Sequence, residues 1–346
     1  LEATDCLVQG SHQMGVYVED STATIDLVRI LDTQTNTAGE GGRGIDAWNS
    51  SLVATDCLVQ ANHGIGLMLH ESDATLEGVQ ILETRRDTIG STAFGLVSQL
   101  NATVVATGLE VRDTAGPALY VIVDALLDCT DCSLTDNAFA GAVVQAGGNL
   151  VLRESLIEGT ASGGNTGAGQ GVFVSDLGWD AIVDGRQLGL PTFSMLASSI
   201  RDNEMGAVYI KGAGAYQLTG NSLSGGPGLD LESGPWPHGD AVFVTAGDKV
   251  PAAWDEEEQV GLLLEGNTFS DSAGAGIFLD GASATLSDNT YEGNNSDLIR
   301  QSCGEAEAPD GLDDEPLSTT ELCPEYDYLT RDVVLMAYLV ESEAEL

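Results

Sequence analysis

The chain has 346 residues, 42% of them hydrophobic and 43 of them glycine, yet only 5% are aromatic; the apolar mass suffices for a large core built from small aliphatic residues rather than an ordinary globular one. Its 54 acidic residues against 12 basic ones give a formal net charge of -42, with Lys211 and Lys249 the only lysines. A field of that sign repels nucleic acid and anionic lipid and argues against a phosphate-binding role, leaving neutral, cationic or metal-bridged partners and a reading of the acidity as salt tolerance or diffuse Ca2+ screening.

No run of about 18 apolar residues occurs, so membrane insertion by a helix is not expected. The chain shows no signal peptide, and because Leu1 already lies inside a repeat, the natural chain is expected to begin upstream.

The first element, LEATDCLVQ (1–9), returns as LVATDCLVQ at 52–60. Between them IDLVRIL (25–31) fits the same frame, placing Cys6, Val28, Cys57 and Val79 in one slot at steps of 22, 29 and 22 residues. The slot continues through Leu109, Cys132, Ser155, Ser198, Asn221, Asn267 and Asn289. Most steps are 22 or 23 residues; steps of 29 and 30 leave room for a side loop, and steps of 43 and 46 for large loops or an extra coil. A second element follows each slot, as in GVYV at 15, GLML at 66, GAVV at 141, GVFV at 171, AVFV at 241 and GIFL at 276. Both elements are short and apolar or alternating, and no helical periodicity fits between them, so each repeat reads as two or three strands joined by turns. Stacked at the strand spacing, such repeats form a parallel solenoid.

This pattern, L-x-x-N-x-φ followed by G-φ-φ-φ over about residues 1–300, resembles the right-handed parallel β-helix superfamily, which includes pectate lyases and polygalacturonases. The resemblance implies an all-β fold of about 10–12 coils over residues 1–302, with 303–346 an acidic linker and C-terminal cap. It also implies a secreted or cell-surface bacterial setting, while leaving activity open.

Cys6 and Cys57 stand two coils apart, roughly 9 to 10 Å, too far for a disulfide; both are expected as buried thiols. Asn221, Asn267 and Asn289 are expected to stack as a hydrogen-bonded ladder continuing the slot of Cys132. Cys129 aligns with core alanines, so the CTDC stretch lacks the context of a redox motif. Cys303 and Cys323 flank an acidic, proline-containing segment and are expected to pair in an oxidising compartment. The final stretch, YLTRDVVLMAYLVESEAEL (328–346), has the apolar content to cap the open end of the solenoid as a helix or a strand.

Insertions at 32–43, 83–93, 159–170 and 224–239 follow the first element and those at 175–191 and 246–259 follow the second, so they are expected to wall one side as a binding face. Trp179, Trp236 and Trp254 fall in these insertions, where indoles either stack on sugar rings or cover a loop's own core. Tyr17, Met68, Tyr120, Phe173 and Phe278 alternate with the inward set and form an outward apolar stripe, expected under a loop or the tail, or else at an interface.

Polygalacturonase motifs largely fail: only YIK (209–211) and the DD at Asp313 and Asp314 resemble any of them, and no pectate-lyase arginine pattern is recognisable. A cluster of Asp202, Glu204, Lys211, Glu232, His238 and Asp240 offers carboxylates that, 5 to 10 Å apart, would suit glycoside hydrolysis beside Trp236. His12 and His63 share one turn position two coils apart and read as exposed turn residues. The favoured function is a non-catalytic module binding carbohydrate or a cell-surface partner, without a cofactor other than Ca2+. Its rivals are a polysaccharide hydrolase or lyase working near 201–240, and a self-associating fibre or adhesin segment.

Overall fold

The computed structural model describes residues 1–39, 41–87, 93–162, 169–176, 182–183, 186–227, 239–245, 260–280, 282 and 284–301. Glu232, His238, Trp179, Trp236, Trp254, Cys303, Cys323 and the segment 328–346 lie outside them.

The described chain winds through three walls, each an 11-stranded parallel sheet, so the solenoid has 11 coils. The first wall runs from Glu2–Thr4 to Ala284–Ser287, the second from Leu7–Gln9 to Thr290–Glu292, and the third from Met14–Glu19 to Ser296–Gln301. Register follows the sequence frame: Leu7 pairs with Arg29, Arg29 with Leu58 and Leu58 with Gln80, which stacks Cys6, Val28, Cys57 and Val79. The long steps hold loops, not an extra coil, since Leu156 pairs directly with Ser199 and Ser222 with Thr268. An antiparallel hairpin, Ile182–Val183 with Arg186–Gln187, is the remaining described strand pair.

Alternation builds the core. In the third coil Leu52 and Ala54 point inward from the first wall, Val59 from the second, and Leu67 and Leu69 from the third, all buried. The turn between the first two walls is two residues in every coil, and its first residue adopts positive φ, from Asp5 at 49° to Asp288 at 54°. Left-handed backbone suits Gly and Asp, which is why TD, EG and TG recur there. The glycine near the start of seven third-wall elements has another cause: at Gly171 a Cβ would meet Ala207 O at 2.7 Å and collide with the Ile200 side chain. That corner leaves no room for a methyl group at Gly171, while Ala118, Ala207 and Ala241 fill the same position in their coils.

Three hydrogen-bonded ladders hold the turns. In the first, Cys132 N–H donates to Ser155 Oγ (3.1 Å), Ser155 N–H to Ser198 Oγ (3.0 Å), Ser198 N–H to Asn221 Oδ1 (2.9 Å), Asn221 N–H to Asn267 Oδ1 (3.0 Å) and Asn267 N–H to Asn289 Oδ1 (2.9 Å). A second, which sequence reading missed, has Thr33, Thr114, Thr160 and Ser272 donating N–H to the carboxamides of Asn62, Asn137, Asn203 and Asn294 in the next coil. Asn recurs at that turn, alternating with Thr or Ser, and this alternation was the available signal. A short serine ladder, Ser21 to Ser50 to Ser72, serves the third turn.

Two cysteine expectations change. Cys57 is buried, with its Sγ 3.2 Å from Thr55 O, but Cys6 is exposed, lying in the outermost of the described coils. Cys129 does face the core, opposite Ala106 and Leu152, yet it is bonded to Cys132. The two-residue turn brings their Cα atoms to 6.0 Å, so the pair clips the first wall to the second.

Candidate functional face

The third wall differs from the other two in its borders and in its outer surface. While the turn joining the first two walls never exceeds two residues, the connections entering and leaving the third wall include every insertion, such as Leu31 to Arg43, Leu82 to Phe94, Ser175 to Thr192 and Ser224 to Asp240. The long connections thus all begin or end at the borders of one sheet, and loops gathered on one side of a solenoid are where a binding face is expected.

Two outward columns cross that face. The central one stacks Tyr17, Asp46, Met68, Val97, Tyr120 and Val143, then Phe173, Tyr209, Phe243 and Phe278. Consecutive rings touch: Phe173–Tyr209 at 5.4 Å, Tyr209–Phe243 at 4.9 Å and Phe243–Phe278 at 5.1 Å between centroids. A polar column beside it carries Trp48, His70 and Gln99; the Trp48 and His70 rings stack at 3.7 Å, and Gln99 Nε2 lies 2.8 Å from His70 Nδ1. Further along, the same column holds Ser175, Lys211, Thr245 and Asp280.

Outward-pointing does not mean exposed here. Val143 has 0% of its surface accessible, whereas Val105, in an equivalent mid-strand position on the outside of the first wall, has 49%. From Met68 to Phe243 the central column is buried throughout, while Tyr17 in the first coil is 45% exposed. Leu100, Val123, Phe139 and Leu188 pack on its margins from the bordering turns. In the second coil Asp46 is fully buried and bound by Arg43 at 2.7 Å; burial pushes its carboxyl up, and the guanidinium offsets part of that rise.

The expected catalytic residues that the structure describes do not converge. Asp240 opens the strand Asp240–Thr245 opposite Gly206, and Lys211 stands five residues further along the neighbouring strand, roughly 16 Å away at 3.3 Å per residue. Glu204 reaches back one coil to accept the Ser162 N–H, while Asp240 Oδ1 turns forward to accept the N–H of Ala275. The two carboxylates therefore face opposite ways. Asp202 occupies a left-handed turn, exposed.

Of the expected catalytic residues that the structure describes, Asp240 has an environment suited to proton chemistry. Burial raises its carboxyl to about 6, only in part countered by the Ala275 N–H, and its Oδ2 is buried without a hydrogen-bond partner. His12 and His63 sit two coils apart at one turn, paired in β-bridges with Gln34 and Arg85. Among the described residues no three His, Cys, Asp or Glu side chains gather as a metal site.

The family model described as the right handed beta helix region matches residues 1–188. No curated protein sequence matches the chain. Among solved structures, the Streptococcus pneumoniae surface protein and adhesin PfbA is 9% identical with a TM-score of 0.47, over 83% of this chain and 77% of that one. A TibA fragment whose hyper-glycosylation is catalysed by TibC is 12% identical with a TM-score of 0.25, over 87% and 97% of the two chains. HetL, a pentapeptide repeat protein of the cyanobacterium Nostoc sp., is 11% identical with a TM-score of 0.20, over 82% and 87%.

Proposed function

This chain belongs to the right-handed β-helix family, and we propose that it is a non-catalytic binding module acting outside the cell, presenting the loop-bordered side of its third wall to carbohydrate. The observation that carries the reading is the confinement of every insertion to the two borders of that wall, against a two-residue turn repeated in all 11 coils elsewhere. Three of the four tryptophans belong to those insertions, and indole is the side chain best suited to stack on the apolar face of a sugar ring. The Cys129–Cys132 bridge supports an oxidising compartment, and the strong negative charge disfavours polyanionic ligands.

A glycan array followed by product analysis tests this. Retention on neutral or amino-bearing glycans with unchanged chain length is expected. In a Cys6→Ser background, a bulky maleimide on Thr37→Cys, in the bordering loop, should block retention; the same label on Thr107→Cys, on the first wall, should not. Equal loss from both positions, or no retention at all, refutes the assignment.

A second reading, polysaccharide cleavage, has one observation in its favour: a buried carboxyl at Asp240 held near pH 6 with a spare oxygen. New reducing ends that vanish in Asp240→Asn would establish it and displace the binding-only reading.

A further inference from the structure

We propose that Tyr17, Glu19 and Trp48, on the first two coils of the third wall, form a subsite for the protonated amine of an amino sugar. The inference rests on the carbohydrate-binding reading above and narrows it to one place and one class of glycan.

The central column is buried from Met68 to Phe243, whereas its first member, Tyr17, is 45% exposed. Tyr17 pairs in register with Asp46 and, two residues along the same strands, Glu19 pairs with Trp48. All four side chains point outward. Two aromatic rings and two carboxylates therefore mark the corners of one patch, about 4.8 Å across the strands and about 7 Å along them. Trp48 is the tryptophan that lies on a wall strand, Arg43–Trp48, rather than in an insertion. Its ring stacks on His70 in the next coil at 3.7 Å and 20°, and His70 is held in turn by Gln99. One indole face is thus covered by His70, and the other turns toward the first coil, where Glu19 stands exposed.

Neighbouring contacts set these groups in place before a ligand arrives. Arg43 Nη1 donates to Asp46 Oδ2 at 2.7 Å, and the Trp48 side chain also favours the charged form of that carboxyl, which burial pushes up. Asp46 Oδ1 is buried without a hydrogen-bond partner, an unused acceptor at the base of the patch. Asn49 Nδ2 donates to Asp20 Oδ1 at 2.7 Å, which pins the turn after Glu19, and a bridge between Thr35 and Gly41 closes the loop at the opposite border. The local field is negative. Desolvation raises the Tyr17 phenol, and Glu19, Asp46 and Asp20 raise it further, so three carboxylates act on one spot while Arg43 offsets one of them. An ammonium group suits such a place, since it is drawn both to carboxylates and to the faces of phenol and indole rings, against which the body of a sugar also packs. An acidic sugar is repelled there, and a neutral one leaves the carboxylates unused.

The test is calorimetric titration of the full chain, at about pH 6 where a sugar amine is protonated, with a β-1,4-linked glucosamine tetramer and with its fully N-acetylated counterpart, which keeps the rings and loses the charge. The amine form is expected to bind about ten-fold more tightly or better. Tyr17→Ala leaves the net charge unchanged and should weaken that binding about ten-fold, and Glu19→Gln should weaken it several-fold. Glu77→Gln, which removes an exposed acid from the first wall, should leave it as it was. Tyr17 and Glu19 are both exposed, so neither substitution disturbs the core. If Tyr17→Ala binds like the native chain, or Glu77→Gln loses as much as Glu19→Gln, diffuse attraction to the acidic rod accounts for the binding and the subsite is overturned. Equal binding of both tetramers, each dependent on Tyr17, overturns the amine preference and leaves the glycan reading standing. Binding of neither tetramer, with other glycans retained on the array, overturns the subsite alone; a blank array overturns both readings.

Discussion

Asp240 is a residue whose chemistry departs from its sequence context, because nothing in the string SGPWPHGDAVFV distinguishes a buried acid from the many exposed ones. Its folded value of about 6 stands above the unfolded carboxylate range, so folding takes up a proton. A group raised in this way contributes its full stability below pH 4 and loses it as pH rises through 6. The loss is on the order of 3 kcal/mol, from about two units at 1.4 kcal/mol each. Denaturant midpoints at pH 4, 5, 6 and 7 should fall across that window in the native chain, and Asp240→Asn should flatten the fall; a variant with the native slope would disprove the assignment. The cysteines mark another limit of reading by columns. Vertical alignment correctly put Cys129 in the core, but its disulfide partner lies sideways, across a two-residue turn, where comparison between repeats does not look.

At the level of the repeat, the Asn ladder was legible because its members recur at a fixed slot, and the hydrogen bonds explain why the slot tolerates Cys, Ser and Asn. Each polar member accepts the N–H of the coil before it. Asn267 does most: besides the Asn221 N–H and Nδ2, it serves the Leu218 carbonyl through its own Nδ2 at 2.8 Å. Truncation in Asn267→Ala orphans a buried N–H and a carbonyl, each worth about 1 to 3 kcal/mol, so a loss of roughly 2 to 6 kcal/mol is expected in urea unfolding. Asn289→Ala, in the half-buried eleventh coil, should cost less. Equal costs would show that the ladder acts locally rather than through burial. The Asn62, Asn137, Asn203 and Asn294 ladder keeps the same period, five residues after the slot and ahead of the insertions, but its members are interleaved with Thr and Ser, so no single residue type marked the position.

For the whole molecule, stacking turns the sequence period into columns of charge. Turn positions select Asp for its left-handed backbone, and the register then places Glu83, Asp113 and Asp136 one above another, with Asp131 above Glu154. Neighbours about 4.8 Å apart repel by about 1 kcal/mol in water, and surface arginines such as Arg112, 3.3 Å from Asp113, relieve only some of them. The same geometry that makes the fold readable therefore makes it electrostatically strained, and a net charge of -42 extends the strain along the rod. Screening should relieve it. Raising NaCl from about 0.01 M to about 0.5 M shortens the Debye length from about 30 Å to under 10 Å, so the melting temperature should rise by several degrees and then level off. CaCl2 at matched ionic strength should follow a similar gradual curve, because the described acids stand singly at successive turns and no three of them gather on a point. A sharp rise that saturates at micromolar Ca2+ would instead require a coordinating cluster, and would turn the acidity from a by-product of turn geometry into a built site.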